Sequence, residues 1–244
     1  MGVTSASQRK LDPEGIATKV VVRLIEELAC VSITPDSPAW QDLIAQGRRV
    51  GELRVYRGRG RVQKIVCTSF SVGTPAVESQ SVIVLTEPSS PVPHLVLDSM
   101  HVGSRVSLHL DLLPKRDLGV SLAYLDRCYV PLSEVRADLD ADERFSAAQL
   151  SRRLRSLLSP WNVAHTVDVA DLDALGGYID RYVTHWASLI KSDAAELQAA
   201  PEIASRDAQH RRLLFSRGVD PLWDVLDRLL DRQAVDMLIS ALSG

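Results

Sequence analysis

Residues 92–118 read VPHLVLDSMHVGSRVSLHLDLLPKRDL, in which two apolar, partly alternating runs flank the break Gly103-Ser104. Strand side chains point to opposite faces with period two, so both runs read as strands. The same character extends upstream through GELRVYRG (51–58), GRVQKIVCTSF (60–70) and SQSVIVLTE (79–87), separated by Gly, Pro and Ser. Together they predict an antiparallel meander of about five strands. Asp98 stands inside one of these apolar runs, just after a proline-rich turn. A carboxyl group taken into an apolar wall either finds partners or keeps its proton through a raised pKa, the state a proton donor requires. Asp98 is therefore the first candidate for chemistry. The competing reading is that it ends its strand and caps the next turn.

On either side of the strands the period changes to that of helices. Ile16, Val20, Leu24 and Leu28 recur at helical spacing, with Asp12-Pro13-Glu14 as a start signal. Beyond Leu118 the segments 124–132, 145–158 and 169–190 read as helices, followed by a C-terminal pair over 202–216 and 221–242. Helices do not separate the successive strands, which favours an α+β arrangement over a parallel βαβ sheet. The expected fold is an α/β/α sandwich: a central antiparallel sheet flanked by helices on both faces, with a ligand between sheet and helices. Residues 1–14 are read as a flexible N-terminus and 15–244 as a single domain.

At 244 residues, 45% hydrophobic and with a net charge of −3, the chain is long enough for a substantial core. No apolar stretch approaches the roughly 20 residues of a bilayer span, and the first residues lack the order of a secretory signal. Cys30, Cys67 and Cys128 show no paired spacing. A soluble, cytoplasmic protein is expected. CxxC, HExxH, strand-linked GxGxxG, GxxxxGK[ST] and GxSxG patterns are all missing from the sequence. Protein-held metal, ordinary nucleotide binding and serine acyl transfer therefore have no signal.

The segment PHLVLDSMHVGSRVSLHLDLLPKRDL resembles the stretch in plant red chlorophyll catabolite reductases where a Pro-His-led strand with a central carboxylate precedes an LDLLP-[RK]-[RK]-DL turn. SVIVLTEPSSPVPH before it and SRDAQHRRLLFSRGVDPLW after it follow the order of the wider ferredoxin-dependent bilin reductase superfamily. The resemblance implies an oxidoreductase that binds an open-chain tetrapyrrole and receives electrons one at a time from ferredoxin, with no cofactor or metal of its own. It places Asp98 at the central catalytic carboxylate and Asp207 at the second, with Ser81, His94, His109 and Arg206 as substrate-binding candidates. It also puts two carboxyl groups on opposite walls of one pocket. Ser81 stands where bilin reductases often carry a His, and Thr68 where some carry a Glu. Ser81 thus moves the likeness toward the chlorophyll catabolite branch. The Arg- and Ala-rich, Lys-poor composition suggests a GC-rich bacterium, so another conjugated substrate stays open.

Arg48, Arg49, Arg54, Arg57, Arg59, Arg61 and Lys64 face a single acid, Glu52, within the same stretch. This positive surface is read as a solvated hairpin, a ferredoxin dock or a hold for substrate carboxylates. Nucleic acid fits poorly, since only Tyr56 interrupts the run as a stacking aromatic. His94, four residues from Asp98, shares its face in a regular strand and is a candidate for the pocket wall. His109 shares a face with Ser107 and Asp111, and Asp111 is expected to anchor the turn. Lys115 and Arg116 are expected to be exposed. Tyr178, Tyr182, His185 and Trp186 form a helix stripe, read as core or, if that helix roofs the pocket, as a stacking face. The competing functional class is a non-catalytic tetrapyrrole or metabolite binder; a homodimer is left open.

Overall fold

The computed structural model describes residues 15–28, 31–32, 42–192 and 202–244. The expectations on residues 1–14 and on Cys30 lie outside the described residues. Among these residues one sheet holds nine strands: β1 (Val31–Ser32), β2 (Asp42–Ala45), β3 (Arg48–Arg57), β4 (Val62–Val72), β5 (Val77–Thr86), β6 (His94–Val102), β7 (Arg105–Leu113), β8 (Ser146–Ala147) and β9 (Val163–Asp168). Their order is β1-β3-β4-β5-β6-β7-β9-β8, with β2 also paired to β3. Every pairing is antiparallel. The five-strand meander is present as β3 to β7. Between β6 and β7 the Gly103-Ser104 loop turns with Gly103 at φ +63°, a conformation that costs glycine little.

Alternation divides the apolar residues between two cores. On one face Val82, Val84, Leu95, Leu97 and Leu110 pack under α1 (Ile16–Leu28), α2 (Leu122–Cys128), α3 (Ser133–Ala141) and α5 (Leu172–Lys191). On the other, Leu53, Val66, Phe70, Ile83 and Val96 pack under the short α4 (Arg152–Arg155), α6 (Ile203–Leu214), α7 (Leu222–Leu229) and α8 (Arg232–Ser243). The expected α+β sandwich, with an antiparallel sheet between helical layers, is the observed fold.

Three local expectations fail. Residues 163–168 lie between helical segments yet form β9, whose Val163, His165 and Val167 are buried against the first core while it pairs with β7. Residues 145–158 form no long helix, only β8 and the single turn α4. The helix expected over 221–242 breaks at Leu230 and Asp231, whose backbones are extended. There the Asp231 N–H donates to the Ile44 carbonyl, and its carboxylate accepts from Gln46 N–H and Gly47 N–H. Bonds to the β2–β3 turn replace helical continuity.

The aromatic stripe of α5 is core. Tyr182 and Trp186 are fully buried on the layer opposite α6–α8, and Trp186 Nε1 donates to the Pro93 carbonyl at 2.8 Å. Trp186→Ala should cost about 3–5 kcal/mol, read as a lower urea midpoint at unchanged m-value.

Candidate active site

Across the centre of the second face a row of mostly polar residues stands in register. Thr68 pairs with Ser81, Ser81 with Asp98, Asp98 with His109, and His109 with Ala164. Thr68 and Ser81 hydroxyls bond to each other at 2.7 Å, and Asp98 Oδ2 lies 3.5 Å from His109 Nδ1. Polar groups in an apolar face cost free energy unless paired; the Thr68–Ser81 and Asp98–His109 contacts meet part of that cost, while His109 Nε2 is buried with no hydrogen-bond partner among the described residues. It floors a cavity of about 250 Å³. The opposite wall comes from the C-terminal helices and their connections, with Phe215, Asp220, Trp223, Leu226, Leu238 and Leu242.

Burial works to lower the His109 pKa, but the bond to Asp98 and the negative charges of Asp98, Asp111 and Asp220 outweigh it, and the net shift is upward. The imidazole therefore holds its proton more firmly than an ordinary histidine. Asp98 is 31% exposed, so it sits at the cavity surface rather than sealed in an apolar wall. Asp220 lies just before α7, where its Oδ1 accepts the Leu222 N–H at 2.9 Å. Burial raises the Asp220 pKa, and the Asp98 charge adds to the rise. Sequence reasoning gave Asp220 no role and found no signal at Trp223. The one signal at Asp220 was an Asp-Pro helix start, which reads as capping. Asp111 is fully buried and accepts from both the N–H and the hydroxyl of Ser159, which ties β7 to the loop before β9.

Asp207 is elsewhere. Its side chain is 1% exposed and is not part of the cavity wall. His94 Nε2 lies 2.6 Å from Asp207 Oδ1, while Lys115 Nζ lies 3.0 Å and Arg211 Nε 3.4 Å from Oδ2. The Thr86 N–H donates to His94 Nδ1, so Nε2 carries the proton and donates it to Asp207. Burial brings the His94 pKa down to about 4, so the ring is neutral near pH 7. Burial alone would raise the Asp207 pKa, but the bonds and charges of His94 and Lys115 hold it at about 2. The expectation of Asp98 and Asp207 on facing walls of one pocket is thus not met. His94 shares Asp98's sheet face but is committed to Asp207. Arg206 donates to the Pro114 carbonyl at 2.8 Å, away from the cavity wall. Lys115 is fully buried, not exposed.

The basic run is partly self-neutralised: Arg49 pairs with Asp42 and Glu52, and Arg54 with Glu52. Arg61 donates to the Leu189 carbonyl, and Lys64 is half-buried. Arg48, Arg57 and Arg59 are exposed. Among the described residues, no group of three or more His, Cys, Asp or Glu side chains is placed to hold a metal ion, and no helix is long and apolar enough to cross a membrane.

A solved structure resembles this arrangement: phytochromobilin synthase from tomato in complex with biliverdin, superposing with a TM-score of 0.69 over 90% of this chain and 78% of that one, at 14% identity. The chain has the phytochromobilin synthase fold. No protein-family profile and no curated protein sequence matches it.

Lys115→Met leaves the buried Asp207 charge short of a partner and should destabilise the fold by about 3 kcal/mol, read by urea denaturation. Both His94 and Asp207 have folded pKa values below their ordinary ones, so the unfolded chain binds more protons in acid. Their contribution to stability should therefore be complete above about pH 6.5 and decline as pH falls toward the His94 value of about 4. A His94→Gln variant should show a flatter pH dependence over that interval.

Proposed function

We propose that the protein is an oxidoreductase that reduces a linear tetrapyrrole or a similar conjugated molecule, taking electrons singly from reduced ferredoxin, with Asp98 as proton donor. The observation that carries this reading is the Asp98–His109 pair on the floor of a predominantly apolar cavity. The tomato enzyme holding biliverdin in the same fold supports the substrate class. Phe70, Ile83, Phe215 and Leu226 offer apolar surface to a flat conjugated system. An electron added to that system brings negative charge beside an imidazolium, which stabilises it. Asp98 passes to the ligand a proton that it draws from His109 at 3.5 Å. The Ser81 and Thr68 hydroxyls orient the polar edge of the ligand.

Ser81 in place of a histidine supports the red chlorophyll catabolite reductase-like branch, and composition supports a bacterial, cytoplasmic setting. Exposed Arg48, Arg57 and Arg59 suit the docking of an acidic ferredoxin. A void near 150 Å³ holds benzene. The 250 Å³ here therefore admits one or two rings. A four-ring substrate enters with the α7–α8 wall moved outward, or leaves rings outside the mouth.

Under anaerobic conditions with reduced ferredoxin and biliverdin, the protein should convert the pigment, followed by absorbance. Asp98→Asn should slow conversion by about 10²–10⁴-fold without loss of folding; full activity in this variant sinks the mechanism. A stable bound spectrum without reduction identifies a pigment binder instead. Because Asp98 helps raise the His109 pKa, its NMR titration should move to lower pH in Asp98→Asn.

A further inference from the structure

We propose that the ligand this cavity is built for is an uncharged conjugated carbonyl compound of one or two rings, such as a quinone or an aryl ketone, and not a molecule that carries carboxylates. The inference rests on the reading of the cavity as the substrate site and narrows the class of substrate. The charge of the lining carries it. Among the described residues, those that line the cavity include no lysine and no arginine, while Asp98 and Asp220 both belong to it. His109 is the one histidine of that lining, and it lies 3.5 Å from Asp98. A carboxylate brought into such a site gives up its hydration, gains no free cation and faces two carboxyl groups. Arginines close in sequence are engaged elsewhere. Arg105, on the strand face of Ser107, donates to Thr166, and Arg217, two residues past Phe215, is held by Asp227 and Asp236.

Hydrogen bonding points the same way. His109 Nε2 and Trp223 Nε1 belong to lining residues and are buried without a hydrogen-bond partner among the described residues. A protonated imidazole donates at both nitrogens and an indole only donates, so both positions call for an acceptor. A carbonyl oxygen accepts without bringing a charge, and small side-chain rotations turn either nitrogen toward it. Buried donors left unmade are costly, so a ligand that satisfies them gains affinity. The ring conjugated to that carbonyl is the flat apolar body that Phe70, Phe215 and Leu226 cover. A cavity of about 250 Å³ sets the limit of one or two rings. Biliverdin bears two propionates, so here it leaves them at the mouth and serves as a probe of the reaction rather than as the fitting ligand.

The test is calorimetric titration of the full chain at neutral pH with a matched pair that shares one ring system: 2-acetylnaphthalene, an uncharged aryl ketone, and 2-naphthoate, its carboxylate counterpart. The ketone should bind about tenfold or more tightly than 2-naphthoate, and more tightly than biliverdin. Ala148→Trp, filling the cavity from a half-buried position, should abolish ketone binding, and Ser107→Phe, at an exposed position of the lining, should weaken it. Ser107→Arg supplies the missing cation and should raise the affinity for 2-naphthoate severalfold while leaving that for the ketone unchanged. Equal or tighter binding of 2-naphthoate or biliverdin overturns the proposal. So does a ketone that fails to bind, that binds regardless of both cavity-filling variants, or a Ser107→Arg variant that leaves the preference intact. Reduction is followed separately by absorbance, under anaerobic conditions with reduced ferredoxin. A ketone that binds as expected, while neither it nor biliverdin is reduced, counts against the reductase reading and leaves the ligand class standing. Biliverdin that is both reduced and the tighter ligand does the reverse.

Discussion

Register in the centre of the sheet governs everything placed on it. Ser81, Asp98 and His109 meet because β5, β6 and β7 pair so that these three residues are direct neighbours. The tight Gly103-Ser104 turn sets the second of those pairings, since Val102 and Arg105 close it directly. A slip by one residue would turn Asp98 away from the cavity and into the mostly apolar core under α5. The apolar core opposes such a slip, because it would take Leu95 and Leu97 out of that core at the same time as it buried the carboxyl.

Two carboxylates of the same type have been given opposite characters by their neighbours. Asp207 is enclosed by Lys115, Arg211 and a neutral His94, and serves to bind α6 to β6 and to the turn after β7. Buried charges of this kind add little net stability relative to an apolar replacement, yet losing one partner is expensive. The network ties α6 to the sheet, and the residue after that helix, Phe215, enters the cavity wall. Asp98 stands at the cavity surface beside His109, with 31% of its side chain exposed. One carboxyl is built into the scaffold and the other faces the cavity.

Likeness to the tomato enzyme at 14% identity shows how little of a sequence the fold demands. Alternation in the strands, apolar helix faces and a few turn residues are satisfied by many sequences of suitable volume. For that reason the fold alone does not select a substrate. The cavity residues do, and here they combine a polar row on the sheet with an apolar helical wall.

The central meander, the helical layers and the prominence of Asp98 were legible because periodicity and an isolated charge in an apolar run are properties of chain neighbours. Ser107, His109 and Asp111 on one face followed from the same alternation. Strand β9 was hidden because its six residues lie between helical segments, and the break at Asp231 because its cause is a turn nearly 190 residues away. The sequence by itself determined the layered antiparallel fold and the face of each strand on which Asp98 and His109 stand. Only the tertiary structure decided that Asp207 belongs to a buried charge network and Asp220 to the cavity. A carboxyl group's role depends on burial and on partners such as His94, 113 positions from Asp207, which meet it only when the chain is folded.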